Sequence, residues 1–370
     1  MKVIPVENRK DFNKFIFAPD FIHVDDPHFI SPLKISVKRT LNIHKNPLWK
    51  VSKRAMFICT DDHKILGRIA AIYHPWNLRN QEDNVGYFGY FDCINDQQIA
   101  KLLIDKAVEY LQTFHCSSIL GPMNPNINYE MGILTEGYNH KPFFMMNYNP
   151  PYYADLLLSL GYTPAMHFYA YRYKPGINDT KIERIARKVQ LRYDVKIKNI
   201  DFSNFKREAN DMYRIYNEAF AAHYAYVPFS KQEFLFVAQE MKVLMNKKLL
   251  FKVYCNDELA GFMLTLPNYN EVISRLAQGR LNLSGIIKFL QYRSKIKSAK
   301  VMVAAILPKF QHCGLGSIMY SEIKKRTDAV GMSSGELSWV AENNSAMVNL
   351  IKSTGFEIEK KYALFEKDII

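Results

Sequence analysis

Residues 300–320 read KVMVAAILPKFQHCGLGSIMY. The apolar run 301–307, rich in β-branched and small residues, has the length of a buried strand. Pro308 and Lys309 break it. Gln311-His312-Cys313-Gly314-Leu315-Gly316 follows, and from Ser317 an amphipathic helical pattern runs to Ile323. A strand, a loop with two glycines and a helix that opens at the loop together make an anion site. The first turn of a helix carries N–H groups without intrahelical acceptors and a partial positive charge. Glycines let the backbone approach phosphate oxygens with no Cβ in the way. The spacing is neither the dinucleotide fingerprint nor the Walker loop.

The loop resembles the pyrophosphate-binding loop of GCN5-related N-acetyltransferases (GNATs), Gln/Arg-x-x-Gly-x-Gly/Ala, at every defined position: Gln311, Gly314 and Gly316. Downstream, 336–340 reads as the next strand, and Asn344-x-x-Met347-x-x-Leu350 leads to Thr354-Gly355-Phe356. That is similar to the family's helix ending in Gly-Phe before its last strands. The resemblance implies an acyl-CoA-dependent transferase using acetyl-CoA or another acyl-CoA and no metal. Its cofactor contacts would be Gln311, His312, Cys313, Gly314, Leu315, Gly316, Ser317 and Asn344. It also implies that the thioester lies where strands 301–307 and 336–340 splay apart, with a backbone N–H near Ala305 or Ile306 polarising its carbonyl. The acceptor amine needs a base. Glu342, just past the neighbouring strand, is the candidate, and a solvated loop carboxylate is the other reading. Many members carry a tyrosine four residues before the Gly-Phe glycine to protonate the leaving thiolate. Position 351 is isoleucine here, which leaves Tyr320, Tyr362 or a water. Cys313 has only His312 beside it and reads as a loop residue rather than an acyl carrier.

Composition sets the frame. At 370 residues two domains are the default. There is no run of about eighteen apolar residues, and MKVIPVENRKDF has no apolar signal core. Five scattered cysteines without metal-ligand spacing point to a reducing cytoplasm and to no metal site. The formal charge of +13 suits an anionic ligand such as CoA, an anionic membrane face or simply a basic surface. No nucleic-acid motif accompanies it, so no nucleic acid is expected.

In chain order, 55–59 and 65–73 read as paired strands, 84–92 as a third, and 97–114 as a helix capped by Asn95-Asp96. An Asn- and Pro-rich segment, 121–151, precedes a helix at 152–160 and a strand at 167–173. Residues 174–180 read as a linker. Helices at 210–222 and 231–245, the strand pair 249–255 and 259–266, and the glycine loop repeat the same order. Gly67 and Gly261 open corresponding strands, and Gly161 and Gly355 end corresponding helices at equal separation. The chain is therefore expected to be α/β (α+β), with two tandem GNAT-like domains, 1–175 and 181–370, each a mixed sheet flanked by helices. The first lacks a glycine after its central strand (Asp92-Cys93-Ile94-Asn95) and is expected to bind CoA poorly and to shape the acceptor side.

Acceptor contacts are expected at Tyr224 and Tyr226, between the first two helices of the second domain, and at Asn268 and Asn270 after its second strand. The long first-domain loop, with Asn124, Asn126, Asn128, Glu130 and Tyr148, is expected to close over the acceptor, and plain turn chemistry is the alternative for its Asn-Pro clusters. The whole chain also resembles large tandem acetyltransferase-like bacterial proteins, through Gly121-Pro122-Met123-Asn124 and Asn149-Pro150-Pro151-Tyr152-Tyr153. Some of these resemble bacterial ceramide synthases, which acylate a long-chain amine. The resulting expectation is an N-acyltransferase acting on a primary amine. The alternatives are lipid-amine acylation or a binding module without turnover. Placement is expected in the cytoplasm, with peripheral docking at the inner membrane face as a second expectation.

Overall fold

The computed structural model describes residues 1–62, 64–76, 84–174, 180–352 and 354–369. Residues 175–179 of the expected linker lie outside the described residues. The strands are β1 (Lys2–Pro5), β2 (Lys53–Asp61), β3 (Lys64–Tyr73), β4 (Val85–Cys93), β5 (Ser118–Gly121), β6 (Met123–Asn124), β7 (Glu130–Met131), β8 (Ile133–Glu136), β9 (Thr163–Tyr173), β10 (Val195–Asn199), β11 (Leu250–Cys255), β12 (Glu258–Pro267), β13 (Ser298–Ile306), β14 (Ser334–Ala341) and β15 (Glu357–Asp368). The helices are α1 (Arg9–Ile22), α2 (Lys34–Thr40), α3 (Gln97–Gln112), α4 (Tyr152–Ser159), α5 (Thr180–Arg192), α6 (Phe205–Phe220), α7 (Lys231–Lys242), α8 (Asn270–Ile273), α9 (Leu283–Tyr292), α10 (Leu315–Ala329) and α11 (Ser345–Lys352).

The chain forms two units, and neither is continuous in sequence. The first comprises Met1–His167, Asn270–Arg293 and Lys360–Ile370; the second comprises Phe168–Tyr269 and Ser294–Glu359. The grouping therefore differs from a simple division into 1–175 and 181–370. Residues 361–368 of β15 belong to the first unit and pair with β5 and β8. Residues 168–173 of β9 belong to the second and pair with β14.

Each unit is a mixed sheet flanked by helices, as the sequence predicts. In the first, the order is β1-β2-β3-β4-β5-β15, with only β4 and β5 parallel along it. Helix α3 seats Ile99, Leu103, Ile104, Ala107 and Leu111 in the core, and the Asp96 carboxylate caps it by accepting the Gln98 and Ile99 N–H groups. In the second unit the order is β9-β14-β13-β12-β11-β10, with β13 and β14 parallel. Leu315, Ile318 and Met319 of α10 pack there with Val189 of α5 and with Phe251 and Val253 of β11.

The duplication read from the sequence recurs in the register. Gly67 pairs with Cys93 and Gly261 with Ile306. In both units the next residue along closes onto the strand, Ile94 N–H to Leu66 O and Leu307 N–H to Ala260 O. Glycine is required at both places. A Cβ would lie 2.8 Å from Asp92 O at Gly67 and 2.4 Å from Ala305 O at Gly261.

Several elements go beyond the sequence reading, among them α1, β1 and α5. α1 continues through Pro19, because Phe15, Ile16, Ala18 and Pro19 are all buried and packing outweighs proline's local penalty. β1 is a short strand beside β2. α5 is basic on its exposed face but sends Ile182, Ala186 and Val189 into the core. No helix among the described residues is long and apolar enough to cross a membrane.

Candidate functional site

In the second unit β13 pairs with β14 only from Ser298–Ser334 to Val301–Leu337. Beyond that point β13 stays on β12 as far as Ile306, and β14 stays on β9 as far as Ala341. The two parallel strands therefore part, and the opening leads to the glycine loop. Strand alternation decides which backbone groups face the gap. Leu307 donates its N–H to Ala260, and the Ala305 carbonyl lies against Gly261, so both point toward β12. Ile306, between them, points the other way, and its carbonyl accepts from Gln311 Nε2 at 3.2 Å. Of the two residues expected near the thioester, Ile306 has its N–H on the open side.

The loop residues Pro308–Cys313 form a 3₁₀ turn, and Gly314 takes φ +77° at the start of α10, a conformation that favours glycine. Gln311 and His312 are exposed, whereas Leu315 and Ser317 are buried. The Ser317 hydroxyl turns back to donate to Gly314 O at 2.7 Å. Gly316 faces Leu350 of α11. Lys309 pairs with Glu258 at the base of the loop. Sequence reasoning missed α5 here. Val189 rests directly on Gly314, and the exposed Arg187 and Lys188 precede it. The signal was the 182/186/189 apolar spacing, hidden among basic residues.

Tyr320 of α10 lies in an apolar cluster with Ile351, Phe356, Val340 and Tyr171, its ring 5.8 Å from that of Phe356. It thus shares a cluster with the residue that stands where the resemblance places a tyrosine. Glu342 is exposed just past β14. Asn344 caps α11, its Oδ1 accepting the Met347 N–H at 3.1 Å.

Three of the expected acceptor residues, Tyr226, Asn268 and Asn270, have hydrogen-bond partners of their own. Tyr224 and Tyr226 lie on the loop between α6 and α7. The Tyr226 hydroxyl donates to Asn217 Oδ1 at 2.6 Å, and burial pushes its pKa up to about 12. Asn217 also bonds the backbone of Phe229 in both directions, so Tyr226 helps to pin this loop. Asn268 donates to Ser298 through backbone and side chain, at the closed end of the parting strands. Asn270 opens α8 in the first unit and donates to Pro142 O at 2.9 Å.

The first unit has the corresponding gap, and its own chain fills it. β4 and β5 pair only from Val85–Ser118 to Tyr87–Leu120. Cys93, the register counterpart of Ile306, donates its N–H to Tyr153 Oη at 2.9 Å and accepts from Tyr152 Oη at 2.8 Å. The Tyr90 N–H donates to Asn124 Oδ1, and a Cβ on Gly89 would lie 1.7 Å from Met123 O. Beside this plug, Asp92 accepts from Arg68 Nε at 2.7 Å and from His23 Nε2 at 2.9 Å. Burial alone would raise the Asp92 pKa, but the Arg68 charge and the His23 hydrogen bond outweigh it and hold it at about 2.

No family model matches the chain. A protein of Caulobacter vibrioides (strain NA1000 / CB15N) named "Bacterial ceramide synthase" is 28% identical over 375 residues, covering 99% of this chain and 97% of its own. Protein YghO of Escherichia coli (strain K12) is 29% identical over 383 residues, covering 98% and 94%. Among solved structures, a tandem GNAT protein from the clavulanic acid biosynthesis pathway superposes with a TM-score of 0.55 at 8% identity, covering 100% of this chain and 98% of its own. The glucosamine N-acetyltransferase region of a fungal multi-domain β-N-acetylglucosaminidase gives 0.59 at 15% identity, covering 99% of this chain and 38% of that longer one. The fold is that of a tandem GCN5-related N-acetyltransferase. Within the tandem GNAT fold, the open gap belongs to the second unit and the plugged one to the first.

Proposed function

We propose that the protein is an N-acyltransferase that moves an acyl group from acyl-CoA to a primary amine at the second unit, the first unit having given up its equivalent site. The observation that carries this reading is the parting of β13 from β14, with the Ile306 N–H on its open side and the glycine loop at its mouth. The CoA phosphates would be held by N–H groups of the loop and of the first turn of α10, with Gln311, His312, Gly314 and Gly316 nearest them. The Ile306 N–H would donate to the thioester oxygen as negative charge develops there. The amine nitrogen attacks the carbonyl carbon, the C–S bond breaks, and an amide and a thiol result. In this scheme Glu342, directly or through a water, takes the proton lost by the amine, and Tyr320 returns one to the thiolate.

The acceptor we favour is a long-chain amine. Support comes from the Caulobacter relative, named for ceramide synthesis and similar across almost the whole chain. A second reading, acyl-CoA binding without turnover, is favoured by Ile351, which is buried where a tyrosine would serve as acid. One assay separates them. The full-length protein is mixed with palmitoyl-CoA or acetyl-CoA and either a sphingoid base or a short primary amine, and thiol release is followed beside calorimetric binding. Amine-dependent thiol release is expected, faster with the long-chain pair. Binding without release would favour the second reading, and no binding of either acyl-CoA would remove both.

A further inference from the structure

Helix α9 presents an unusual face. Its sequence is LSGIIKFLQY, and Leu283, Ile286, Ile287 and Leu290 fall at i, i+3, i+4 and i+7, one continuous stripe. In the first unit this stripe points outward: the four residues are 78%, 45%, 58% and 57% exposed. The helix is attached by its opposite side. Gly285 is buried there, with Arg280 O only 2.4 Å from the place a Cβ would take, and Tyr292 lies under the Arg275 guanidinium at 4.6 Å. The segment is anchored further by Gly279, packed on Pro32 O, and by Arg280 over the Phe17 ring at 4.5 Å. So the stripe is held out by a seated helix.

The charged residues of this segment have one sign. Arg275, Arg280, Lys288 and Arg293 are all exposed, and 275–293 contains no Asp or Glu. A helix with an apolar face bordered by cations suits an anionic lipid bilayer, whose headgroups take the cations while the apolar side chains enter the acyl boundary. A second copy of this chain suits it less well, because a two-fold contact at α9 would bring the same cations together. We propose that α9 is a membrane-docking helix that inserts Leu283, Ile286, Ile287 and Leu290 into the interface of an anionic bilayer. This goes beyond the acyl-transfer reading and stands whether or not the second unit turns over.

The test uses full-length protein and vesicles of phosphatidylglycerol and phosphatidylethanolamine, compared with phosphatidylcholine alone, by flotation at low and moderate salt. The wild-type chain should float with the anionic vesicles and not with the neutral ones. The pair Ile286→Ser with Ile287→Ser should weaken this at least tenfold while leaving the unfolding midpoint and acyl-CoA affinity unchanged, because both side chains are exposed. Ile287→Trp gives a second readout: the emission it adds to that of the wild type should shift to the blue with anionic vesicles and be quenched by brominated acyl chains. Three results would overturn the proposal: no flotation of the wild type, flotation unaffected by the serine pair, or added emission in the Ile287→Trp variant that vesicles leave unchanged. If light scattering shows the wild type to be a dimer that the serine pair dissociates, α9 is a self-association face instead.

Discussion

Asp92 and Ala305 hold the same register position in the two units, opposite Arg68 and Phe262 respectively. One unit therefore spends this position on a buried ion pair and the other on small apolar contact. Because the folded Asp92 carboxyl is held at about 2 against an ordinary 3.8, its contribution to stability is present above pH 4 and is lost as the pH falls through 2. Asp92→Asn should cost roughly 2–4 kcal/mol at pH 7, since it leaves Arg68 without its carboxylate, and should flatten the acid limb between pH 4 and pH 2. Urea unfolding at a series of pH values measures both. His312 poses the opposite case, exposed beside the start of α10. A carboxylate there suits the helix dipole but repels phosphate, so His312→Glu should keep its unfolding midpoint. It should lose at least tenfold in acyl-CoA affinity by calorimetry, about 1.4 kcal/mol.

Helix α4 shows how a short element can fill a gap between strands. Its two tyrosines satisfy both backbone groups of Cys93, and β6 closes over Gly89. Tyr153→Phe removes the acceptor for the buried Cys93 N–H and should destabilise by about 1–3 kcal/mol. Acyl-CoA binding should persist, because the reading assigns it to the other unit; chemical denaturation beside calorimetry checks the pair. The sequence pointed to the half without a glycine loop through the missing glycine after β4, but not to the tyrosine plug, since nothing in Asn149-Pro150-Pro151-Tyr152-Tyr153 says which backbone groups the phenols meet. α5 was hidden for a related reason. Its three buried side chains are outnumbered by basic ones, and only α10 beside it shows which face is inward.

At the scale of the molecule, the last strand belongs to the unit that begins the chain. Residues 361–368 pair with β5 and β8, and Tyr362, Ala363, Leu364 and Phe365 are almost wholly buried. The Ile369 backbone also bonds Ser117 and Gln112. A chain ending at Glu359 should therefore lose the first unit, hundreds of residues upstream, with its amides becoming exchange-prone and its loops cleavable. Hydrogen exchange read by peptide would check this. Protection of residues 97–112 equal to that of the full chain would contradict it.

Sequence alone determined the repeated order of strand pair, central strand and helix, and it located the glycine loop. Those features are written in local terms, as apolar periodicity, caps and residues without a Cβ. It also marked which half keeps the loop. Tertiary structure alone decided that Ile306 rather than Ala305 faces the gap, that Asn268 and Tyr226 are committed to neighbours, and that β15 completes the first sheet. A strand's pattern gives its faces but not its partner, and a backbone N–H is free or used only according to what the rest of the chain brings beside it.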